Sequence, residues 1–485
     1  MNTFRPSTLV VALSLAFATH VSFGADAVAA AASAPAPLST GLDKSGVDTA
    51  VRAQDDLFDA MNGTWLKKTE IPADKSSWGT FYELRDLSDE RVKSIIEKLA
   101  STPQPAGTVN AKIGDFYSSY MNTDAIDAAG TKPLAPYMAQ LAAVKNKKDL
   151  VALMGRWVSF VDEPLPLGVG PDAKDPTVYS AGTWQGGLGL GDRDYYLKDD
   201  ARFAKARTAY LDYVRTLLTL DGDKNAVMHA TAVMALEKRI AQVQWAKEAN
   251  RDPVKIYNPM TLKELSAKAP NIDWKGYFEA GDLPNPAFVS IAQPSYAWAL
   301  AKLIKDEPLD VWKTYLRVRL LDGTAQELPT AFRTASFQFK GAALQGIKQD
   351  KPRWQRGVDT LNGSMGEALG QVYVSQYFPP AYKARMVQLV DNLLKTYSTS
   401  IDGLAWMSPA TKVAAHDKLS KYGVKIGYPD QWRDYSALEV KAGDPVGNDV
   451  RASQFEYRRQ AVRNGKKVDR TEWGMTPQTV NAYYD

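Results

Sequence analysis

Histidine and cysteine are the side chains that most often hold a metal or move a proton. This 485-residue chain has three of the first and none of the second. His20 lies in an apolar N-terminal stretch, His229 in Val227-Met228-His229-Ala230, and His416 in Ala414-Ala415-His416-Asp417-Lys418. Two imidazoles reach one zinc ion from a single helix when they stand four residues apart. No pair here has that spacing, so the chain itself is expected to bind no metal, and His229 and His416 read as structural or surface residues. Serine chemistry lacks its frame as well: Gly363-Ser364-Met365-Gly366 comes near the nucleophile elbow Gly-x-Ser-x-Gly without matching it. The Gly-rich run Gly186 to Gly191 lacks the Gly-Lys-Ser/Thr ending that cradles phosphate, and is expected to be a tight loop packed with aromatics. Paired carboxylates for glycoside chemistry are defined by a distance in space and are not legible in one sequence. The net charge of +4 gives no concentrated basic face for nucleic acid. No catalytic residue is assigned from these motifs.

The elements that would position any site are mostly helical. Ser88 with Asp89 and Glu90, followed by Val92, Ile95, Ile96 and Leu99, predicts a helix that starts at Ser88. Val233, Leu236, Ile240 and Val243 repeat at helical spacing. Met386, Leu389, Leu393, Tyr397, Ile401 and Leu404 do so over several turns. Ser408-Pro409 opens another helix, with Gly423 expected just past its end. Strands do not alternate with helices, which excludes a doubly wound sheet. The expected fold class is mainly α: a large multi-helical lobe with a few short strands. Length alone predicts two or three domains or one two-lobed body. Twelve Trp and 23 Tyr suit large packed helical interfaces.

The two ends read differently from the middle. Arg5 precedes an apolar stretch, Leu9 to Ala18, too short to span a bilayer. Ser22-Phe23-Gly24-Ala25 offers a cleavage site after Gly24, with Ala27 as a second place. Residues 1–24 are therefore expected to be a signal peptide, leaving a periplasmic or secreted protein with no stable membrane insertion. Residues 25–50, rich in Ala, Ser and Pro, are expected to be a disordered linker. Residues 51–475 form the helical domain. Residues 476–485 begin something else, because Thr479 to Asp485 reads as a β-strand with no turn to close it. An unpaired edge invites pairing with another strand, so the chain reads as stopping inside an element.

Several motifs occur in one order. They are Asp56-Leu57-Phe58-Asp59-Ala60-Met61-Asn62-Gly63-Thr64-Trp65-Leu66, then Gly187-Leu188-Gly189-Leu190-Gly191-Asp192-Arg193-Asp194-Tyr195-Tyr196, then Gly366-Glu367-Ala368-Leu369-Gly370. Trp406-Met407-Ser408-Pro409, Val468-Asp469-Arg470-Thr471-Glu472-Trp473 and Asn481-Ala482-Tyr483-Tyr484 follow. Together, from about Asp55 to Asp485, they resemble the N-terminal portion of the neprilysin and endothelin-converting-enzyme family of zinc metallopeptidases, in its bacterial secreted branch. Gly191 stands where that family usually has Pro. The resemblance implies an exported zinc metalloendopeptidase or oligopeptidase whose helical lobe is a lid over the active site. It implies peptide substrates, and zinc in the full-length parent enzyme. Asn481 and Ala482 match the family's edge strand, where they pair with the backbone of a bound peptide. That strand would be the first of a thermolysin-like catalytic domain. The H-E-x-x-H helix has no counterpart in this sequence, so the chain as it stands is expected to be inactive. The alternative is a non-catalytic periplasmic protein that holds peptides without cutting them.

Overall fold

A computed structural model describes residues 43–484. The expected signal peptide and the linker up to residue 42 lie outside the described residues. The chain divides into two compact units, Met1–Glu70 and Ile71–Asp485.

In the first unit the described residues fold around one helix, Leu57–Lys68, whose Asp56 cap accepts from the Asp59 N–H. The segment before it turns back onto the helix. The Asp48 N–H donates to Ala60 O at 2.8 Å, and the Thr64 N–H donates to Gly46 O at 3.0 Å. A Cβ on Gly63 would lie 2.8 Å from Asp48 Cβ, so the glycine of the first motif makes this close return possible.

The second unit is mainly helical and holds two hydrophobic cores. The larger is built from residues between Leu134 and Phe339, with Trp157, Trp274 and Trp312 fully buried. The smaller joins Val92, Ile95 and Ile96 to Phe116, Val358, Leu361 and Leu369. The helix Pro445–Ala461 serves both, giving Val446 and Ala461 to the first core and Ala452 to the second. One small sheet belongs to the larger core. Its strands are β1 (Leu167–Pro171), β2 (Tyr179–Thr183), β3 (Pro259–Met260) and β4 (Val289–Ile291), in the order β1-β2-β4-β3. β1 and β3 run antiparallel to their neighbours, whereas β2 and β4 are parallel.

The helical periodicity holds with two corrections at boundaries. The helix expected from Ser88 starts eight residues earlier, spanning Thr80–Ser101. Ser88 is buried in its interior, because its hydroxyl serves a distant partner instead of a cap. The helix after Ser408 runs Pro409–Ser420, with the Ser408 side chain accepting from the Thr411 N–H as expected. It stops short of Gly423 because the Lys421 and Tyr422 N–H groups close the last turn onto Lys418 O and Leu419 O.

The Gly-rich signature is a packing device. A Cβ on Gly187 would lie 2.3 Å from Tyr315 Oη, and one on Gly189 would lie 2.0 Å from Tyr210 Oη. The Tyr196 and Tyr210 hydroxyls donate to buried Glu237 at 2.5 and 2.7 Å, and the Gly189 N–H reaches it at 3.3 Å. Gly191 has φ +75°, where no proline ring can follow.

One long element is unlike the rest. The helix Pro380–Gly403 has no buried residue, nor does Pro409–Ser420. Met386, Leu389, Leu393 and Tyr397 are 41%, 49%, 49% and 61% exposed. The apolar stripe legible in the sequence is real, and it faces outward.

Candidate functional site

The segment expected to recognise peptide backbone is residues 479–484. Among the described residues it forms no strand, which corrects the expectation of a β-strand there. A strand exists only by its ladder, and among the described residues no neighbouring strand lies beside this segment to supply one. The backbone bends locally instead: the Asn481 N–H donates to Thr479 O at 3.1 Å. The Asn481 side-chain oxygen accepts from the Ala482 N–H at 2.9 Å. Asn481, Ala482, Tyr483 and Tyr484 are all exposed. Among the described residues the Asn481 NH₂ group has no hydrogen-bond partner, and the backbone of 481–484 is exposed. Tyr484 stacks on Tyr422 with ring centroids 6.0 Å apart, and Tyr483 Oη accepts from the Gly474 N–H at 3.1 Å. The segment thus lies beside the exposed helix Pro409–Ser420.

Upstream, the chain is held tightly. Gln478 is 6% exposed. Its Nε2 donates to Asn362 Oδ1 and to Gly366 O, both at 2.8 Å. Its own carbonyl accepts from the Ser88 hydroxyl at 2.7 Å. These partners lie on two helices, Thr80–Ser101 and Arg353–Tyr377. The sequence did carry a signal for this contact: Gly366 and Gly370 stand four apart, so they share one helix face.

Before Gln478, an ion-pair cluster fixes the Val468 to Trp473 motif. Glu472 meets Arg459 and Arg463, and lies 3.5 Å from Arg433. Arg433 also reaches Glu456 at 3.0 Å, and its N–H donates to Glu367 Oε1 at 2.6 Å. Burial works to raise the Glu456 carboxyl, but hydrogen bonds and charge from Arg459 and Arg433 overcome it and hold the group below its ordinary range.

The histidines are occupied elsewhere. His229 Nδ1 lies 2.7 Å from Asp223 Oδ2, a carboxylate that also takes Arg317 at 3.1 Å. His416 Nε2 lies 2.8 Å from Asp402 Oδ1, with Ser398 Oγ 3.3 Å from Nδ1. Among the described residues no three of His, Cys, Asp and Glu are grouped to hold a metal ion. These side chains do not fit a zinc site. No helix of the described residues is long and apolar enough to cross a membrane.

The family model of peptidase family M13 matches residues 53–429. An endothelin-converting enzyme homolog of Locusta migratoria is 27% identical over 463 residues, covering 88% of this chain and 63% of its own length. Neprilysin-3 of Drosophila melanogaster is 26% identical over 471 residues, covering 90% of this chain and 59% of its own. This chain therefore spans about six-tenths of the length of the curated relatives it matches. Among solved structures, the zinc metalloprotease Zmp1 of Mycobacterium tuberculosis in complex with an inhibitor has a TM-score of 0.86 at 34% identity. That match covers 92% of this chain and 68% of Zmp1. PepO of Lactobacillus rhamnosis, with a TM-score of 0.79 at 24% identity, shares the fold.

Proposed function

Because the chain belongs to peptidase family M13, we propose that it forms the helical, substrate-enclosing lobe of an exported zinc metallopeptidase that cuts peptides. The observation that carries this reading is the helix Pro380–Gly403. A 24-residue amphipathic helix with no buried residue is an exposed apolar patch of the kind that marks an interface. Propensity alone does not sustain a stripe of this kind; packing does. The matched relatives carry further polypeptide beyond the region this chain spans, and that polypeptide would sit on this face. Residues 479–484 lie beside the neighbouring helix Pro409–Ser420, where Tyr484 meets Lys418 and Tyr422. Asn481 and Ala482 would then offer their backbone, and Asn481 its amide, to an extended peptide. The zinc and the groups that move protons would come from that further polypeptide, since the side chains described above do not fit the metal.

The test is capture, from the cells that make it, of the polypeptide that carries residues 43–484, using antibodies raised to this lobe. The reading expects about one zinc per captured polypeptide, hydrolysis of extended peptides that a chelator abolishes, and a mature N-terminus near Ala25. A captured polypeptide that binds peptides, holds no zinc and cuts nothing would instead support the non-catalytic peptide-binding alternative.

A further inference from the structure

The recognition segment has to present Asn481 in one register. Extended backbone alternates its faces, so a slip of one residue would turn Asn481 away and present its neighbours. Segment 479–484 has little at Asn481 itself to prevent that slip: Asn481 and Ala482 are exposed and carry only local hydrogen bonds, and the Tyr483 and Tyr484 side-chain contacts lie beyond them. We infer that Gln478, clasped between the helices Thr80–Ser101 and Arg353–Tyr377, is the positioning residue that sets this register. The inference rests on the reading of Asn481 as a peptide contact.

Four observations converge on it. First, Gln478 is the last buried residue before the exposed end, three positions from Asn481 and so within about 10 Å of it along the chain. Second, its side chain and its backbone are gripped from different helices: Nε2 by Asn362 and Gly366, the carbonyl by Ser88. A side-chain grip fixes rotation and a backbone grip fixes position along the chain. Third, the seat is cut to the side chains that occupy it. A Cβ on Gly366 would lie 2.8 Å from Thr476 Cγ2, and one on Gly370 would lie 2.5 Å from Pro477 Cδ and 2.9 Å from Gln478 Oε1. Fourth, Pro477 fixes φ on the approach and leaves Gln478 as the residue whose bonds decide the orientation. Gln478 Oε1 is buried without a partner, so this arrangement carries a cost that a residue kept only for packing would not require.

The chain has no Cys, which permits clean labelling. Nitroxides placed by Ala482→Cys and Lys421→Cys report the distance from the segment to the neighbouring helix by pulsed electron resonance. The unaltered clasp should give one narrow distance. Gln478→Met removes both side-chain bonds, and the ratio of seated to released segment should fall about fivefold per bond, about twenty-five-fold in all. Gln478→Glu adds a readout that packing alone would not move. Its neutral carboxyl can donate to Gly366 O, whereas its carboxylate would face two acceptors, so the narrow distance should return as pH falls. Gln478→Met at the same pH values controls for other titrating groups, including Asp89 and Glu367. If Gln478→Met loses its helical circular dichroism, Ser88→Ala and Gln478→Glu decide instead. A narrow distance in Gln478→Met and in Gln478→Glu at every pH would overturn the inference. Unchanged peptide kinetics in Asn481→Ala with an intact narrow distance would sink the peptide-contact reading and leave the clasp standing.

Discussion

Replacing Glu163 by Gln should make the lobe more stable, and the gain should grow with pH. Glu163 is 1% exposed, and no basic side chain among the described residues pairs with it. Tyr277 Oη lies 3.0 Å from its Oε1 and also contacts Leu165 O. A tyrosine hydroxyl has one proton, so it cannot donate to both oxygens. A protonated Glu163 resolves this by donating to Tyr277, which then donates to Leu165. Burial accordingly pushes the Glu163 carboxyl up, from 4.5 to about 8. The folded state then holds a proton that the unfolded chain releases above its ordinary carboxyl value, so stability falls as pH rises between those values. At about 1.4 kcal/mol per pH unit, the loss from pH 5 is on the order of 2–3 kcal/mol by pH 7 and levels off at about 4 kcal/mol well above pH 8. In Glu163→Gln the amide NH₂ donates where the acid proton did, and the group does not ionise. Urea unfolding of the two proteins from pH 5 to pH 9, followed by tryptophan fluorescence, isolates this group as a difference between curves. The difference should be small at pH 5 and widen through pH 8. Parallel curves would refute the claim that Glu163 is neutral in the folded lobe.

Three further outcomes are expected. In the zinc-containing enzyme, Asn481→Ala should lower kcat/KM for an extended peptide by about tenfold, the equivalent of one or two hydrogen bonds, with zinc content unchanged. Glu456 contributes stability that is present above its ordinary carboxyl value and lost as pH falls through its lowered folded value. Glu456→Gln should therefore flatten the acid limb of the stability profile and cost roughly 2 kcal/mol at pH 7, read by urea midpoints from pH 3 to 7. Leu389→Glu with Leu393→Glu should leave the unfolding free energy of the lobe within about 0.5 kcal/mol per site, while reducing self-association measured by sedimentation; a large loss of stability would mean that the stripe is packed.

Much of this was legible because helices write themselves locally. The 3.6-residue stripe at Val233, Leu236 and Ile240 and the cap at Ser408 needed nothing from elsewhere in the chain. The Gly-rich loop was legible as packing, since it lacked the residues that phosphate requires. What failed depended on partners far along the chain. Ser88 has the chemistry of an N-cap, yet its hydroxyl belongs to Gln478, 390 positions away. Thr479 to Tyr484 has strand composition, but composition cannot supply the neighbour that makes a ladder. The stripe Met386-Leu389-Leu393 announced burial, yet within the described chain these side chains stay 41%, 49% and 49% exposed. The spacing of Gly366 and Gly370 marks one small helix face, but the seat it makes depends on the Thr476, Pro477 and Gln478 side chains far along the chain.

Under the proposed function, this lobe works with a zinc-bearing polypeptide of the M13 kind. The DNA that follows the codon for Asp485 tests it most directly. An open frame that soon encodes H-E-x-x-H, followed by a further Glu able to complete a zinc site, is expected. A frame that closes there, with no such helix encoded in any adjoining gene, would contradict it.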